Sequence, residues 1–421
     1  MRIELPTIQN WSCHNCGGCC RQHLIEITEE ERARIEDQNW PATEGWPVGQ
    51  PIVEWHAGPS WKKRYRLAHQ ADGGCVFLDK KGLCRIHAKF GEPAKPLACR
   101  VYPYALHPSA KGVTVSLRYS CPSVVANKGQ AVTQQRADLE AIHQLVVPPH
   151  QGGWPVPAVS PLGRVDWPDF EQFVAALDAD LCERSVPIAV RIARTVLWMN
   201  LVQEARFDEV RGKKLREFQQ LLRAAAAQEI PGQPKELTPV SPMGQLYFRT
   251  ALAQYARKDT VADLRGGWLG RWRLLKAILQ FSRGKGLIPP LQDGFRKVPF
   301  ARIDEPFHLP VAEQDELFER YFRVKLKGLH FCGPAYYDIP LAEGWHSLAL
   351  MLPIVSWLAR WLAASEDRDR VELRDLEKAL TVADHHHGYS PALGAPAARK
   401  RIRSLSQTGD LQALIWRYST E

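Results

Sequence analysis

The chain has 421 residues, of which 45% are apolar and 24% charged, the composition of an ordinary soluble globular protein with room for two or three domains. Its net charge of +9 comes from basic residues that are scattered along the chain, not gathered in a stripe with aromatic residues, so we do not expect nucleic acid as a partner. The most apolar stretch, residues 345–364, carries Arg360 and a proline and is interrupted before the ~20 apolar residues that a bilayer span requires, so no membrane partner is expected either.

Eight of the ten cysteines fall between residues 13 and 121. A disulfide framework is one interpretation, but the first ten residues lack the apolar core of a signal peptide, which favours a reducing cytoplasm where thiols bind metals. We therefore predict a cytoplasmic protein with eight metal ligands: Cys13, Cys16, Cys19, Cys20, Cys75, Cys84, Cys99 and Cys121. Bound thiolates would also lower the net charge, to roughly +5 for two four-thiolate centres.

The segment from Trp11 to Arg21 reads WSCHNCGGCCR and carries four of these thiols. A C-x2-C spacing places two sulfurs on neighbouring corners of one site, so Cys13, Cys16 and Cys19 are expected to share a centre. The two glycines between the second and third thiols leave the backbone free to adopt positive φ close to a metal.

The next segments are predicted from local signals. Residues 22–28 can form a short strand, and Thr28 with Glu31 is a capping-box signature for a helix over residues 29–39. Residues 40–60 are rich in Pro, Gly and Trp and are predicted to be irregular.

Residues 75–86 read CVFLDKKGLCRI, which predicts a β-hairpin that turns over Asp79–Gly82. In this register Phe77 pairs with Cys84, and Cys75 and Cys84 come out on the same face. The hairpin would then present two thiols to one metal, as a zinc ribbon does.

The last two ligands follow in different settings. Cys99 lies among prolines, and a strand predicted over residues 112–118 leads to Cys121-Pro122. Three histidines are alternative ligands, although eight thiols make them unnecessary: His14, His87 and His107.

The eight thiols can be divided between two centres. Adjacent residues in an extended chain point to opposite sides, so Cys19 and Cys20 are expected to serve different centres. Bacterial ferredoxins combine C-x2-C-x2-C with a remote Cys-Pro, and this chain has both parts. The alternative is one cluster with the remaining thiols structural. The predicted division is Cys13, Cys16, Cys19 and Cys121 in one centre, and Cys20, Cys75, Cys84 and Cys99 in the other.

The motifs C-x2-C-G-x-C-C, CVFL, GLCRIH, KPLACRVYP and a final Cys-Pro, spread over about Trp11 to Ser123, resemble the YkgJ-type cysteine-cluster family, a zinc- or iron-chelating domain. All eight thiols recur in order, and Lys95 stands where the family usually has arginine. The same domain occurs in flagellin lysine-N-methylase, which has a similar layout of a cysteine domain followed by helices. The resemblance implies an iron-sulfur cluster and methylation of a protein substrate from S-adenosylmethionine.

After Cys121 the hydrophobic period becomes that of helices. Pro- and Gly-rich residues 148–163 predict a linker between a cysteine-cluster domain, residues 1–147, and an α-helical domain, residues 164–421. The fold class is therefore mainly α, with an irregular Cys-rich metal domain that contains a small β-hairpin, followed by an α-helical array. Helices are predicted over residues 134–147, 167–182, 188–205, 213–227, 244–257, 269–281, 313–328, 344–364 and 372–387, the eighth of them buried and kinked at Pro353.

Two functions compete for this sequence. One is a lysine N-methylase-like enzyme with an iron-sulfur centre, and the other is a non-enzymatic metal-binding or electron-transfer module with a structural zinc or iron-sulfur centre. The glycine-rich residues 266–270 follow no strand and are interpreted as a loop, and residues 333–338 as a turn, so no catalytic or cofactor-binding residue is assigned. Iron is favoured over zinc, which all-thiolate sites also accept.

Overall fold

The computed structural model describes residues 2–40, 51–55, 63–150, 153–207, 209–257 and 267–420. The chain divides into two compact units: a cysteine unit, residues 12–103 with 258–274, and a helical unit, residues 1–11, 104–257 and 275–421. The predicted domain limits at residues 147 and 164 stay a prediction, and the compact units divide the chain elsewhere. Residues 104–147, with Cys121, group with the helices.

The predicted fold class is confirmed, because small sheets with antiparallel strand pairs within residues 2–117 precede a helical array. The strands of the described ranges are β1 (Arg2–Glu4), β2 (Glu26–Ile27), β3 (Ile52–Trp55), β4 (Arg64–Leu67), β5 (Tyr104–Ser109) and β6 (Gly112–Leu117). The strand predicted over residues 22–28 is reduced to β2. Since β3 pairs antiparallel with β4, the segment predicted to be irregular contains a strand; its residues 41–50 and 56–60 lie outside the described residues.

Between residues 12 and 103, the described part of the cysteine unit has four short α-helices, α1 (Gly18–Gln22), α2 (Glu29–Asp37), α3 (Arg85–Phe90) and α4 (Leu97–Val101). The capping box predicted for α2 is present: the Glu31 N–H donates to Thr28 Oγ1 (3.2 Å), and the Thr28 N–H donates to the Glu31 carboxylate (2.9 Å). One core joins these helices to the sheet β2-β4-β3, formed mainly by Ile27, Ile35, Leu67, Val76, Phe77 and Ile86.

In the helical unit, β6 lies between β1 and β5, parallel to the first and antiparallel to the second. All six residues of β6 are buried, which agrees with the strand predicted over residues 112–118. The Thr114 hydroxyl donates to the carbonyl of Lys327 (2.8 Å), and a Cβ on Gly328 would collide with Ser116. The sheet is therefore packed closely against the end of the helix over residues 311–327.

Helices make up most of the remainder, and the predicted ones are found close to their predicted ends. Short helices over residues 122–125, 300–304 and 391–394, and two longer ones over residues 396–407 and 410–419, were not predicted. The helices are α5 (Pro122–Val125), α6 (Arg136–Val146), α7 (Trp167–Leu181), α8 (Ile188–Glu204), α9 (Gly212–Glu229), α10 (Pro242–Ala256), α11 (Gly267–Arg283), α12 (Phe300–Asp304), α13 (Val311–Lys327), α14 (Leu341–Ala349), α15 (Met351–Ser365), α16 (Leu373–Asp384), α17 (Pro391–Gly394), α18 (Pro396–Gln407) and α19 (Asp410–Ser419).

The interpretation of residues 266–270 as a loop is wrong for the described part, because α11 begins at Gly267; Gly266 itself lies outside the described residues. Glycine lowers helix stability by about 1 kcal/mol per residue. Burial of Ala277 and Phe281 further along the helix offsets this cost, since tertiary packing contributes more to helix stability than propensity does.

The helix predicted over residues 344–364 is buried as expected, but it consists of α14 and α15, which meet at Leu350. Pro353 has no N–H to donate to the carbonyl four residues earlier, and this explains a break at that point. By length and composition alone, Leu341–Ser365 could cross a membrane, with a mean hydropathy of 1.5 over its best window. That window is 100% buried inside the protein, which is the property of a core helix.

A charged pair is completely buried in the helical unit. Lys325 Nζ lies 2.8 Å from Asp384 Oδ1 and 3.3 Å from His330 Nδ1. The other carboxylate oxygen of Asp384 accepts the backbone N–H of Ser120 (3.1 Å). Burial lowers the pKa of Lys325 and raises the pKa of Asp384, while the attraction between the two opposes both shifts. Each ion therefore depends on the other to stay charged.

We predict that Asp384→Asn lowers the free energy of unfolding by about 3–5 kcal/mol, because it leaves the buried Lys325 ammonium without a counter-ion. Urea denaturation at neutral pH measures this loss. In the control Glu217→Gln, the partner of the exposed Lys213 is removed, and the expected change is about 0.5 kcal/mol or less. Equal losses in the two variants would contradict the prediction.

Candidate metal centre

The first thiols lie on a loop that turns sharply into α1. Asn15 and Gly17 have left-handed φ angles of 54° and 65°, so the expected positive φ is found at Gly17. Gly17 is the residue before α1, and Cys19 and Cys20 follow within that helix. The loop thus places these two thiols on a helical turn instead of an extended strand.

This conformation corrects the premise of the predicted division. Cys19 and Cys20 were assigned to different centres because neighbours in an extended chain point apart, but neighbours in a helix diverge by only ~100°. Their sulfur atoms are 3.9 Å apart. Two sulfurs that share a tetrahedral zinc at 2.3 Å would be about 3.8 Å apart. The geometry therefore favours one shared centre for Cys19 and Cys20 over the predicted separate centres.

The segment that carries Cys75 and Cys84 also differs from its prediction. Cys84 forms a bridge with Leu78 instead of Phe77, and the Leu78 N–H donates to the carbonyl of Cys75 (2.9 Å) in a tight turn. The predicted turn over Asp79–Gly82 is present, but Cys84 is directly followed by α3 instead of a second strand. The predicted hairpin, with Phe77 paired to Cys84, is therefore wrong.

Backbone hydrogen bonds hold this turn against the first loop. The Cys75 N–H donates to the carbonyl of Cys20 (2.8 Å). Gly82 has φ +81°, and a Cβ at this position would collide with the carbonyl oxygen of Asn15. Only glycine satisfies both conditions without strain, so the two segments are packed backbone to backbone.

A residue of α2 fixes the start of the helix that carries Cys99. It lies in α4, where Glu31 Oε1 accepts the N–H of Leu97 at 2.6 Å. The same carboxylate closes the capping box of α2 through its other oxygen. Glu31 is only 8% exposed, so one buried side chain fixes the start of the helix that carries Cys99.

Electrostatic interactions and one sulfur–sulfur contact connect five thiols of the cysteine unit. Burial raises the pKa of Cys75, and the nearby thiols of Cys99, Cys84 and Cys19 raise it further. The pKa of Cys99 is raised to about 12, mainly by burial, while Lys95 acts in the opposite direction. The hydrogen bond with Cys20 is the largest cause that raises the pKa of Cys19, followed by burial. We call the five residues the thiol cluster: Cys19, Cys20, Cys75, Cys84 and Cys99.

Cys19, Cys75 and Cys99 have raised pKa values and ionise only beside a positive charge, which a bound metal ion would supply. Every donor in the cluster is sulfur, which fits zinc or an iron-sulfur cluster and does not fit magnesium or calcium. Lys95 lowers the pKa of both Cys19 and Cys99, so it favours thiolates at the same place.

The other predicted ligands lie outside this cluster. Cys13 and Cys16 are exposed, and Cys121 precedes α5 in the helical unit, so the predicted convergence of Cys121 with the first loop stays a prediction. In the described ranges, no three His, Cys, Asp or Glu side chains converge in metal-binding geometry as they stand. His87 is exposed on α3, and His107 packs against His330 in the helical unit.

The thiol cluster is that of a metal-chelating domain, and the comparison with protein families agrees. Residues 12–122 match the CxxCxxCC family, described as "Putative zinc- or iron-chelating domain". The match contains all eight predicted ligands and covers about a quarter of the chain. No curated protein and no solved structure matches the chain. The zinc- or iron-chelating character is thus supported, while the YkgJ name and the methylase relationship stay predictions.

Sequence reasoning missed the residues that support the cluster. Glu31 was recognised only as a helix cap, and its bond to Leu97 has no local sequence signal because the partners are 66 positions apart. The close approach of Gly82 to Asn15 was missed for the same reason. A glycine followed two residues later by a cysteine is the only hint in the sequence.

We predict that Glu31→Ala lowers the free energy of unfolding by about 1–3 kcal/mol and reduces the metal retained per chain, because two backbone N–H groups lose their acceptor. Thermal melting and metal analysis after identical dialysis measure the two effects. Glu30→Ala is the matched control, since Glu30 is exposed in the first turn of the same helix. If both variants keep the same metal content, Glu31 does not position Cys99.

Proposed function

We propose that the cysteine unit binds iron as an iron-sulfur cluster, with the thiol cluster as the source of its first ligands. The observation that carries this proposal is the pair Cys19 and Cys20, whose sulfurs are 3.9 Å apart. The thiol of Cys75, in turn, interacts electrostatically with those of Cys19, Cys84 and Cys99. Zinc is the alternative metal for the same thiols. Iron is preferred because eight thiolates and no required histidine suit iron-sulfur chemistry.

This grouping replaces the predicted division into two sets of four. A metal held by the cluster has to draw at least one further sulfur toward Cys19 and Cys20, which a side-chain rotation of a neighbouring cysteine can provide. Cys13, Cys16 and Cys121 are then the thiols left for a second centre. A metal that stabilises the cysteine unit would be compatible with both proposed functions, the enzyme and the metal-binding module.

We predict that protein purified without oxygen is brown, with a thiolate-to-iron band in the visible spectrum, and that Cys75→Ser and Cys99→Ser each remove most of the colour and iron. Cys182→Ser is the matched control, since this exposed thiol lies outside the motif. Iron and sulfide analysis counts the centres. Colourless protein with stoichiometric zinc would show that the metal is zinc. Protein with neither metal would contradict the proposal that the thiols chelate a metal.

Methyl transfer is a further proposal, and it rests on the resemblance to flagellin lysine-N-methylase. A methylase would require a site for S-adenosylmethionine and a protein substrate with an unprotonated lysine in line with the methyl group. No catalytic residue is assigned to it. A cytoplasmic location, where thiols stay reduced, would suit both the methylase and the metal-binding module.

If the methylase proposal is right, S-adenosylmethionine binds the metal-loaded protein with a measurable heat in calorimetry, and S-adenosylhomocysteine competes with it. The Cys182→Ser variant serves as the control and should bind equally. Protein that holds its metal but gives no heat with S-adenosylmethionine would support the metal-binding or electron-transfer module instead.

A further inference from the structure

Helix α11 has apolar side chains on two opposite sides. Ala277 and Phe281 face inward and are buried, and the Phe281 ring packs against Phe300. On the other side, Leu275 and Leu279 are 46% and 50% exposed. Four residues of helix turn through about 400°, so these two leucines lie one above the other. An apolar stripe that the fold does not bury is thus left on the surface.

The stripe continues beyond these leucines. About one turn before Leu275 on the same helix, Trp272 is 52% exposed. Exposed leucines that occur singly need no explanation, but a row of large apolar side chains along one helix indicates a contact surface.

The charged residues that accompany the stripe in the sequence are all basic. Residues 264–292 contain six Lys and Arg and no Asp or Glu. Lys276, Arg283 and Lys285 are exposed, and they make no ion pair among the residues that the structure describes. Lys276 lies about one turn before Leu279 and Arg283 about one turn after it, so both border the stripe. The guanidinium of Arg249 lies against Gly284 and adds a further cation at the end of the helix.

An apolar helix face bordered by Lys and Arg, without acidic residues, is the pattern of a helix that lies in the plane of a membrane surface. The leucines enter the acyl boundary, and the cations contact anionic headgroups. Nucleic acid would use the cations and leave the leucines in water. A second copy of the chain would have to offer acidic groups to this surface.

We propose that the outer face of α11, with Leu275, Leu279, Lys276 and Arg283 at its centre, binds anionic lipid bilayers. The expectation of no membrane partner came from the absence of a spanning segment in the sequence, and a helix that lies on the surface does not require one. This inference concerns lipid binding alone and is independent of the metal in the cysteine unit.

The test is flotation of the full-length, metal-loaded protein with vesicles. Binding is expected to vesicles that contain phosphatidylglycerol and not to pure phosphatidylcholine, and it should be lost at about 0.5 M salt, where the screening length falls to roughly 4 Å. Lys276→Glu with Arg283→Glu, and separately Leu275→Ser with Leu279→Ser, should each weaken binding by about tenfold or more.

The control is Leu221→Ser with Lys213→Glu on α9, which removes a leucine and a cation that are both exposed. It should bind as the unaltered protein does. Unchanged metal content and melting temperature show that the variants are folded. The proposal is overturned if phosphatidylglycerol vesicles are not bound, or if the variants bind as well as the control. It is also overturned if the same substitutions abolish duplex DNA binding or self-association and leave vesicle binding intact.

Discussion

The cysteine unit depends on a small number of polar backbone contacts that bring distant thiols to α1. The Cys75 N–H donates to the carbonyl of Cys20, and the Glu31 carboxylate accepts the N–H of Leu97 near Cys99. These contacts fix the main chain around the thiols. The protein part of the site is therefore arranged by hydrogen bonds within the unit.

Burial keeps the thiols of Cys75 and Cys99 protonated, because it raises both pKa values, and Lys95 opposes the shift at Cys99. Thiolates at these positions would need a cation beside them. The helical unit meets the same difficulty differently, since the buried Lys325 has its counter-ion, Asp384, within the protein. An internal ion pair balances the charge in the helical unit, whereas thiolates in the cysteine unit would depend on a bound cation.

The apolar helices differ in how completely they are buried. Helices α14 and α15 are buried on every side, so their apolar composition reflects the core. Helix α11 is buried on one side only, and its opposite side is apolar and basic at once. Composition alone does not distinguish a core helix from a surface helix, because α11, α14 and α15 are all rich in Leu and Trp. The exposed fraction of each side chain distinguishes them.

The sequence by itself determined the features that depend on near neighbours along the chain. The helical period predicted most of the helices, the Thr28 and Glu31 pair predicted the start of α2, and the eight cysteines with their local contexts predicted a metal-chelating domain. Only the tertiary structure decided which thiols lie together. A five-residue segment such as α1 has too little propensity to form alone, and the pairing of Cys84 with Leu78 depends on contacts made elsewhere. Both are set by packing between segments far apart in the chain, which local patterns do not encode.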